Sequence, residues 1–236
     1  MTLPRVTEPI PDDPYLEAIE YQSMDHEAVN RKFVQDLLSG PTGPRVIDLG
    51  CGPAGIPIEL CSQDSNIEIL AIDEEPEMLD LAKRDIDASG YLDRIMLSQG
   101  DATDLDWLDQ DTADTVISNS LMHHLDRPQS GLETAVRLVK PGGRIFIRDL
   151  ARPDSSHTVE LLVRQHCGDE TDRAQQLFRQ SLHAALTLEE IQKMCGGLGI
   201  QPQHVQMSSD RHWTIDWTKP IDNATVEHDV NSSQNV

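Results

Sequence analysis

Apolar positions along the chain follow two alternating rhythms. Short, nearly continuous apolar runs end on a polar residue: Val46–Ile47 before Asp48, Ile67–Ile72 before Asp73, Ile95–Ser98 before Gln99-Gly100-Asp101, Thr115–Ser118 before Asn119, and Arg144–Ile147 before Arg148-Asp149. Runs of this length without alternation read as strands buried on both faces. Between them the apolar residues take a helical period. The first such stretch, 14–39, carries Leu16, Ile19, Met24, Ala28, Val29, Phe33, Val34, Leu37 and Leu38, and Gly40-Pro41 stops it. A second begins after Gly55 with Ile56, Ile58 and Leu60. Glu75-Pro76 opens a third, with Met78, Leu79, Leu81 and Ala82 on its face, closed by Ser89-Gly90. A fourth covers Leu132–Val139 and is closed by Lys140-Pro141-Gly142-Gly143. Strand and helix alternate at the spacing of βαβ units, which predicts an α/β fold with an open, doubly wound, mostly parallel sheet.

The rhythm changes after Leu150. Ser156–Cys167 and Thr171–Leu182 read as two helices with no strand between them, so 151–186 is expected to be a helical insertion acting as a lid. Thr187-Leu188-Glu189-Glu190 is a capping box that opens another helix. Ile200–Met207 and His212–Trp217 then alternate apolar and polar about a Ser209-Asp210 turn, predicting a C-terminal β-hairpin, the sole antiparallel pair, and a seven-stranded sheet in all. The expected organisation is a flexible N-terminal arm at 1–13, a single domain at 14–219 whose 14–39 helix caps it, and a disordered tail at 220–236.

Composition narrows the partners. With 41 acidic against 19 basic residues the net charge is −22, opposite to the basic footprint of a nucleic-acid binder or an anionic membrane ligand. The acids are scattered, which reads as a solvated surface. Cys51, Cys61, Cys167 and Cys195 form no C-x-x-C pair, so reduced thiols and a cytoplasmic location are expected. The proline-rich, acidic start does not read as a signal peptide, and no apolar stretch reaches the roughly 20 residues of a membrane span.

Right-handed crossovers bring the strand C-terminal ends, and the polar residues that close them, to one sheet edge. The turn after the first strand holds Gly50, Gly52 and Gly55, and the amides opening the next helix point at whatever sits there. Asp73 follows Gly52 by roughly 20 residues, the spacing at which an acid takes both hydroxyls of a ribose. Asp101 stands where it can accept from an exocyclic amine, and Asn119 lies beside the reacting end. Each acid could instead cap a helix; it is the four in sequence that point to a nucleoside site. Tyr21, on the first helix, can reach into such a pocket, or it belongs to a solvated flank.

These stretches, VIDLGCGPAG, AIDEEPEML, QGDATDL, DTVISNSLMHHL and LVKPGGRIFIRDL, resemble a class I S-adenosylmethionine-dependent methyltransferase of the small-molecule type. The resemblance covers residues 46–150 and the terminal hairpin, and implies a Rossmann-like fold. It implies S-adenosylmethionine as cofactor and S-adenosylhomocysteine as product. Asp48, Gly50, Cys51 and Gly52 would hold the methionine part. Asp73, with Glu74 and Met78, would take the ribose side; Asp101 and Ala102 the adenine; Asn119 the methyl end. One departure is visible: where the family often reads DLGCGTG, Pro53-Ala54 stands here and a glycine comes one place later. The reaction is an in-line displacement that needs chiefly alignment and exclusion of water. Where the acceptor must lose a proton, His123 is the candidate base, with His124 beside it facing another way.

Tyr21, His124, Arg148 and Arg211 are the candidate acceptor residues. Arginines at this edge of so acidic a chain suggest an anionic small molecule, a carboxylate or phosphate; pairing with Asp149, Asp154 or Asp210 is the alternative. No metal is expected, since the histidines and Cys167 show no ligand spacing. A monomer or homodimer is expected. The competing functions are a cofactor-binding protein without turnover and a nicotinamide oxidoreductase, against which the absence of Tyr-x-x-x-Lys counts.

Overall fold

A computed structural model of the chain describes residues 3–9, 13, 15 and 27–221. Its centre is one seven-stranded sheet in the order β3-β2-β1-β4-β5-β7-β6. The strands are β1 (Arg45–Leu49), β2 (Glu68–Asp73), β3 (Ile95–Gln99), β4 (Ala113–Asn119), β5 (Val139–Leu150), β6 (Val205–Met207) and β7 (His212–Thr218). The helices are α1 (Glu27–Leu38), α2 (Gly55–Gln63), α3 (Pro76–Ser89), α4 (Pro128–Leu138), α5 (Ser156–Cys167), α6 (Asp172–Ala184) and α7 (Leu188–Gly197). The first five strands run parallel, as the apolar runs predict. The pairing β1–β4 sets the switch in strand order, and ligands of open α/β sheets bind in the crevice outside such a point.

Alternation along each strand divides the core between the two faces. Val46, Ala71, Ile117 and Phe146 face one side, against Phe33, Val34 and Leu37 of α1, Ile56 and Leu60 of α2 and Ile86 of α3. Phe33 meets Phe146 edge-on at 5.1 Å, a geometry worth about 0.5–1.5 kcal/mol beyond area burial. Ile47, Leu49, Val116, Ile145, Ile147, Trp213 and Ile215 face the other side, against Leu132 and Leu138 of α4 and Ile191 of α7. A third, smaller core joins α5 and α6 through Val159, Val163 and Leu182 over Leu150. The two ends of the 151–186 insertion are clamped by a bridge between Ala151 and Leu186 and by Arg152, whose amide bonds the Leu186 carbonyl. Hydroxyl caps start its helices: Ser155 accepts from Thr158 N and Thr171 from Ala174 N. The capping box of Thr187 and Glu190 forms as read.

Three sequence expectations are corrected here. The hairpin is not the sole antiparallel pair: β7 also runs antiparallel along β5, from Arg144↔Thr218 to Leu150↔His212. β6 is only three residues long, because Pro202 has no amide to give a ladder and starts a 3-10 turn, Pro202–His204, in its place. Residues 3–9 do not form a loose arm. The Arg5 guanidinium donates to the carbonyls of Ala184 (2.6 Å), His123 (3.1 Å) and Leu125 (2.9 Å), and the Val6 amide to that of His183 (3.1 Å). Of the expected cap helix, 14–39, residues 14 and 16–26 lie outside the described residues, as does the tail from 222.

Candidate cofactor and acceptor site

The glycine turn follows β1 because three alternate loop positions need a left-handed backbone. Gly50 has φ +70, Gly52 +53 and Ala54 +63. Gly50 is doubly constrained, since a Cβ there would come 2.7 Å from Leu121 Cδ1. At Gly52 nothing lies within 4 Å of the corresponding point, so the turn presents an open cradle. Ala54 is the family glycine's replacement and takes the conformation the glycine would, as the cap of α2, fully buried. An alanine tolerates this region at a cost of about 1 kcal/mol. The Gly50 and Cys51 amides donate to the Ile72 carbonyl, which ties the turn to the end of β2.

Two carboxylates flank this cradle. Asp73 Oδ2 accepts the Gly52 amide at 2.7 Å and Oδ1 the Glu75 amide at 3.0 Å. Burial raises the Asp73 carboxyl above its ordinary range, and the two amide bonds offset this only in part. Asp48 is 2% exposed, and no described residue donates a hydrogen bond to it. Its carboxyl is raised well above the usual value, first by burial and then by the charge of Asp73. Burial, Asp48 and Asp73 also push the Cys51 thiol up, so this cysteine is not a nucleophile. A buried and a half-buried acid with no described cation between them destabilise the free fold and suit a ligand that brings positive charge and hydroxyl donors. An α-ammonium, a sulfonium and a ribose, as in S-adenosylmethionine, fit that requirement.

The neighbouring strand ends complete the edge. Asp101 is held by its own loop: Thr103 N donates to Oδ1 at 2.7 Å and Thr103 Oγ1 lies 2.8 Å from both oxygens. An ionised carboxylate has about four acceptor sites, so capacity for an amine remains. Ala102 is buried beside it, Met78 is half-buried in the first turn of α3, and Glu74 is exposed, its carbonyl taken by Gln99. Asn119 ends β4 half-buried, and Ser120 after it has φ +59. That conformation is uncommon for a serine and marks this strand end as constrained, a feature nothing in the sequence signalled.

Beyond Asn119 lies a groove of about 240 Å³ between α1 and the turn that leads into β7. Arg148, paired in register with Asn119, forms its floor. Val29, Lys32 and Asp36 of α1 form one wall, and Ser209, Arg211 and His212 the other. Arg148 Nη2 bonds Asp36 at 2.8 Å and its Nε bonds Thr214 Oγ1 at 3.0 Å, while the guanidinium stacks 5.6 Å from Phe33 and 5.5 Å from Phe146. Lys32 shares the same Asp36. Arg211 meets Asp210 and His166. The expected arginine partners are thus found for Arg211 alone; Arg148 turns to the opposite face from Asp149. His212 is lowered to about 4 by burial and then by Arg211, and is neutral at pH 7. The α1 helix reaches the cofactor side too: a Cβ on Gly55 would meet Asn30 Nδ2 at 2.5 Å.

The two histidine candidates stand differently: His124 lies near enough to act on the Asp73 carboxylate, and His123 turns inward. His123 does not stand open at a rim. It is 3% exposed, on the α4 face, with Nδ1 2.5 Å from Asp149 Oδ1 and Nε2 4.0 Å from Glu8 Oε1. Asp149 alternates with Arg148 along β5 and so points to that face, where it also accepts the Met122 and Leu150 amides. Burial would raise the Asp149 carboxyl, but the interaction with His123 and the amide bonds hold it below its ordinary range. His124 is half-exposed, with Nδ1 2.6 Å from Glu8 Oε2. Tyr21 lies outside the described residues.

Comparison with known proteins agrees with this geometry. A family model described as "Methyltransferase domain" matches residues 42–216. A ubiquinone/menaquinone biosynthesis C-methyltransferase from Geotalea daltonii is 30% identical over 125 residues, 52% of this chain and 52% of its own length. A demethylmenaquinone methyltransferase from Clavibacter sepedonicus is 26% identical over 186 residues, covering 79% of this chain and 68% of its own. The chain thus spans about half the length of the first of these relatives. In fold it is similar to a SAM-dependent methyltransferase structure from Aquifex aeolicus, with a TM-score of 0.67 and 17% identity over 88% of this chain and 99% of the other. With the match spanning most of the chain, the protein belongs to the methyltransferase-domain family, in its S-adenosylmethionine-dependent, Rossmann-like class.

Proposed function

We propose that this protein transfers the methyl group of S-adenosylmethionine to a small anionic acceptor seated in the groove between α1 and the turn before β7. The observation that carries the reading is the charge of that groove. Lys32, Arg148 and Arg211 converge there with Asp36 alone on its walls, in a chain whose net charge is −22. Each of these cations also holds an acid, Asp36 or Asp210, a contact that an anionic acceptor would share or displace, and a guanidinium stacked on two rings is pre-organised for a carboxylate, phosphate or phenolate.

The cofactor when bound supplies an activated sulfonium methyl, displaced in line by the acceptor. The chain's own residues would bind and align. Asp48 and Asp73 balance positive charge and take hydroxyls; Asp101 takes an amine; Asn119 and Ser120 border the transfer point. Arg148 and Arg211 orient the acceptor, and neutral His212 can donate a ring N–H to its oxygen without adding charge. With His123 buried and held by Asp149, it is positioned as a structural imidazole, and the acceptor arrives already ionised.

The relatives named for demethylmenaquinone suggest a phenolic acceptor in particular, for which Ala28 and Val29 provide an apolar wall. Both versions share an anion at Arg148. The test is methyl incorporation from labelled S-adenosylmethionine into matched acceptor pairs: aromatic and aliphatic carboxylates, phosphates and phenols against their neutral esters or ethers. Turnover of the anion and not its neutral partner supports the reading. Preference for the neutral partner removes it, and cofactor binding without turnover of any member favours a binding protein. Of the described helices, none is long and apolar enough to cross a membrane.

A further inference from the structure

Glu8, His123 and His124 come together although the sequence separates the first from the others by most of the domain. Arg5 brings this about. Its three bonds to the carbonyls of Ala184, His123 and Leu125 lay residues 3–9 across the turn that follows β4 and the end of α6. Glu8 is thereby set against both imidazoles, with its Oε1 also accepting the Ser181 hydroxyl at 2.6 Å. His123 Nε2, His124 Nδ1 and a Glu8 carboxylate oxygen all lie within 4.8 Å of one another. The two rings are 4.1 Å apart and tilted, so adjacent residues aim ring nitrogens at one point.

The hold of Asp149 on the His123 ring is the second observation. Asp149 is fully buried; its Oδ2 accepts from Met122 N at 2.5 Å, and its Oδ1 accepts from Leu150 N at 2.6 Å and lies 2.5 Å from His123 Nδ1. The other ring nitrogen, Nε2, faces a Glu8 oxygen at 4.0 Å, a gap too wide for a hydrogen bond. A divalent ion bonded at about 2.0–2.2 Å to nitrogen and oxygen spans such a gap. A histidine ligand whose other nitrogen is held by a buried carboxylate is the usual outer arrangement of such centres, and it fixes both tautomer and ring orientation.

We propose that Glu8, His123 and His124 form a binding site for a Zn²⁺-class divalent transition metal, with Asp149 orienting His123, and that the ion clasps the N-terminal segment to the turn after β4. Two imidazoles and one carboxylate suit Zn²⁺, Co²⁺ or Ni²⁺ and disfavour Mg²⁺ and Ca²⁺, which take oxygen donors. The site explains why His123 is buried away from the groove. It does not rest on the methyl-transfer reading.

The test uses the full chain, stripped with a chelator and titrated calorimetrically with Zn²⁺, and in parallel with Co²⁺ followed by its visible absorption. One Zn²⁺ per chain is expected, with a Co²⁺ spectrum of four- or five-coordinate intensity. Glu8→Gln and His124→Ala, at a half-buried and a half-exposed side chain, should each weaken Zn²⁺ about tenfold or more. His157→Ala, on the exposed start of α5, should leave affinity unchanged. Mg²⁺ should not compete. Wild-type affinity no tighter than that of a Glu8→Gln/His124→Ala double variant, or a purely octahedral aquo-type Co²⁺ spectrum, would overturn the proposal and leave the cluster an imidazole–carboxylate ion pair.

Discussion

Replacing Asp48 with asparagine separates what the site needs from what the fold needs. The change is nearly isosteric and removes one charge at a position 2% exposed. In the free protein that carboxyl has no described donor, and burial first, then the charge of Asp73, raise it well above 3.8. An incompletely satisfied buried polar group costs about 1–3 kcal/mol. Allowing for the amide's own imperfect pairing, Asp48→Asn should stabilise the free protein by about 1–2 kcal/mol. For a chain of this size that is roughly 2–8 °C in Tm.

The sign can be checked through pH. The folded carboxyl holds its proton at higher pH than the unfolded one, so its contribution is fully present below the unfolded value near 3.8 and is lost as pH rises through the raised folded value. Wild-type stability should therefore gain on the variant's as pH falls from neutrality toward that value, and the two should converge. Binding moves the other way. Loss of one charge-assisted contact to the cofactor is worth about 1.5–3 kcal/mol, roughly 10- to 150-fold in affinity for S-adenosylhomocysteine. Urea melts at pH 7 and 5.5, with calorimetric titration at pH 7, measure all three. A variant that is less stable at pH 7 and binds S-adenosylhomocysteine with unchanged affinity would refute the reasoning, since Asp48 would then be a strut of the fold.

Other substitutions probe the neighbouring parts. Asp73→Ala strips the acceptor from the Gly52 and Glu75 amides and should weaken S-adenosylhomocysteine at least about tenfold by calorimetry; equal affinity would place the ribose elsewhere. Gly50→Ala meets both φ +70 and Leu121, and should cost about 1–3 kcal/mol in urea denaturation, whereas a neutral result would show that the turn relaxes. Arg148→Met keeps the stacking bulk over Phe33 and Phe146 but no charge; KM for an anionic acceptor should rise about tenfold with KM for the cofactor unchanged, and a reversed split would move Arg148 out of the acceptor site. Arg144→Ala removes a buried guanidinium bonded to Asp216 at 2.7 and 2.8 Å and to the Leu37 carbonyl. Because Asp216 is half-exposed, about 2–3 kcal/mol of stability should go, with cofactor affinity intact.

Much of this site was legible because its residues are tied to strand ends. An apolar run closed by an acid gives both a buried strand and the edge at which its last side chain stands, and that placed Asp48, Asp73, Asp101 and Asn119 before any coordinates. What sequence could not show depends on facing or on distant chain. Arg148 and Asp149 are neighbours, but pleating sends one to α1 and the other to α4, so the expected pairing between them cannot form. As a candidate base His123 has only loop residues for sequence neighbours; Glu8 and Arg5, which cover it, lie more than a hundred positions away. The same separation hides the three-residue ligand set, which has no spacing to recognise. Two cases lay closer to reach. Pro202 within the expected hairpin strand is a known reason to shorten it. Ala54 in the place of a glycine pointed to a left-handed alanine, since the turn around it does not change.

The account stands or falls on what the glycine turn and the carboxylates of Asp48 and Asp73 bind. Calorimetric titration of the purified chain with S-adenosylhomocysteine, and separately with NAD, is the direct measurement. One S-adenosylhomocysteine per chain and no heat with NAD is the predicted result. Binding of NAD, or of neither compound, would contradict it.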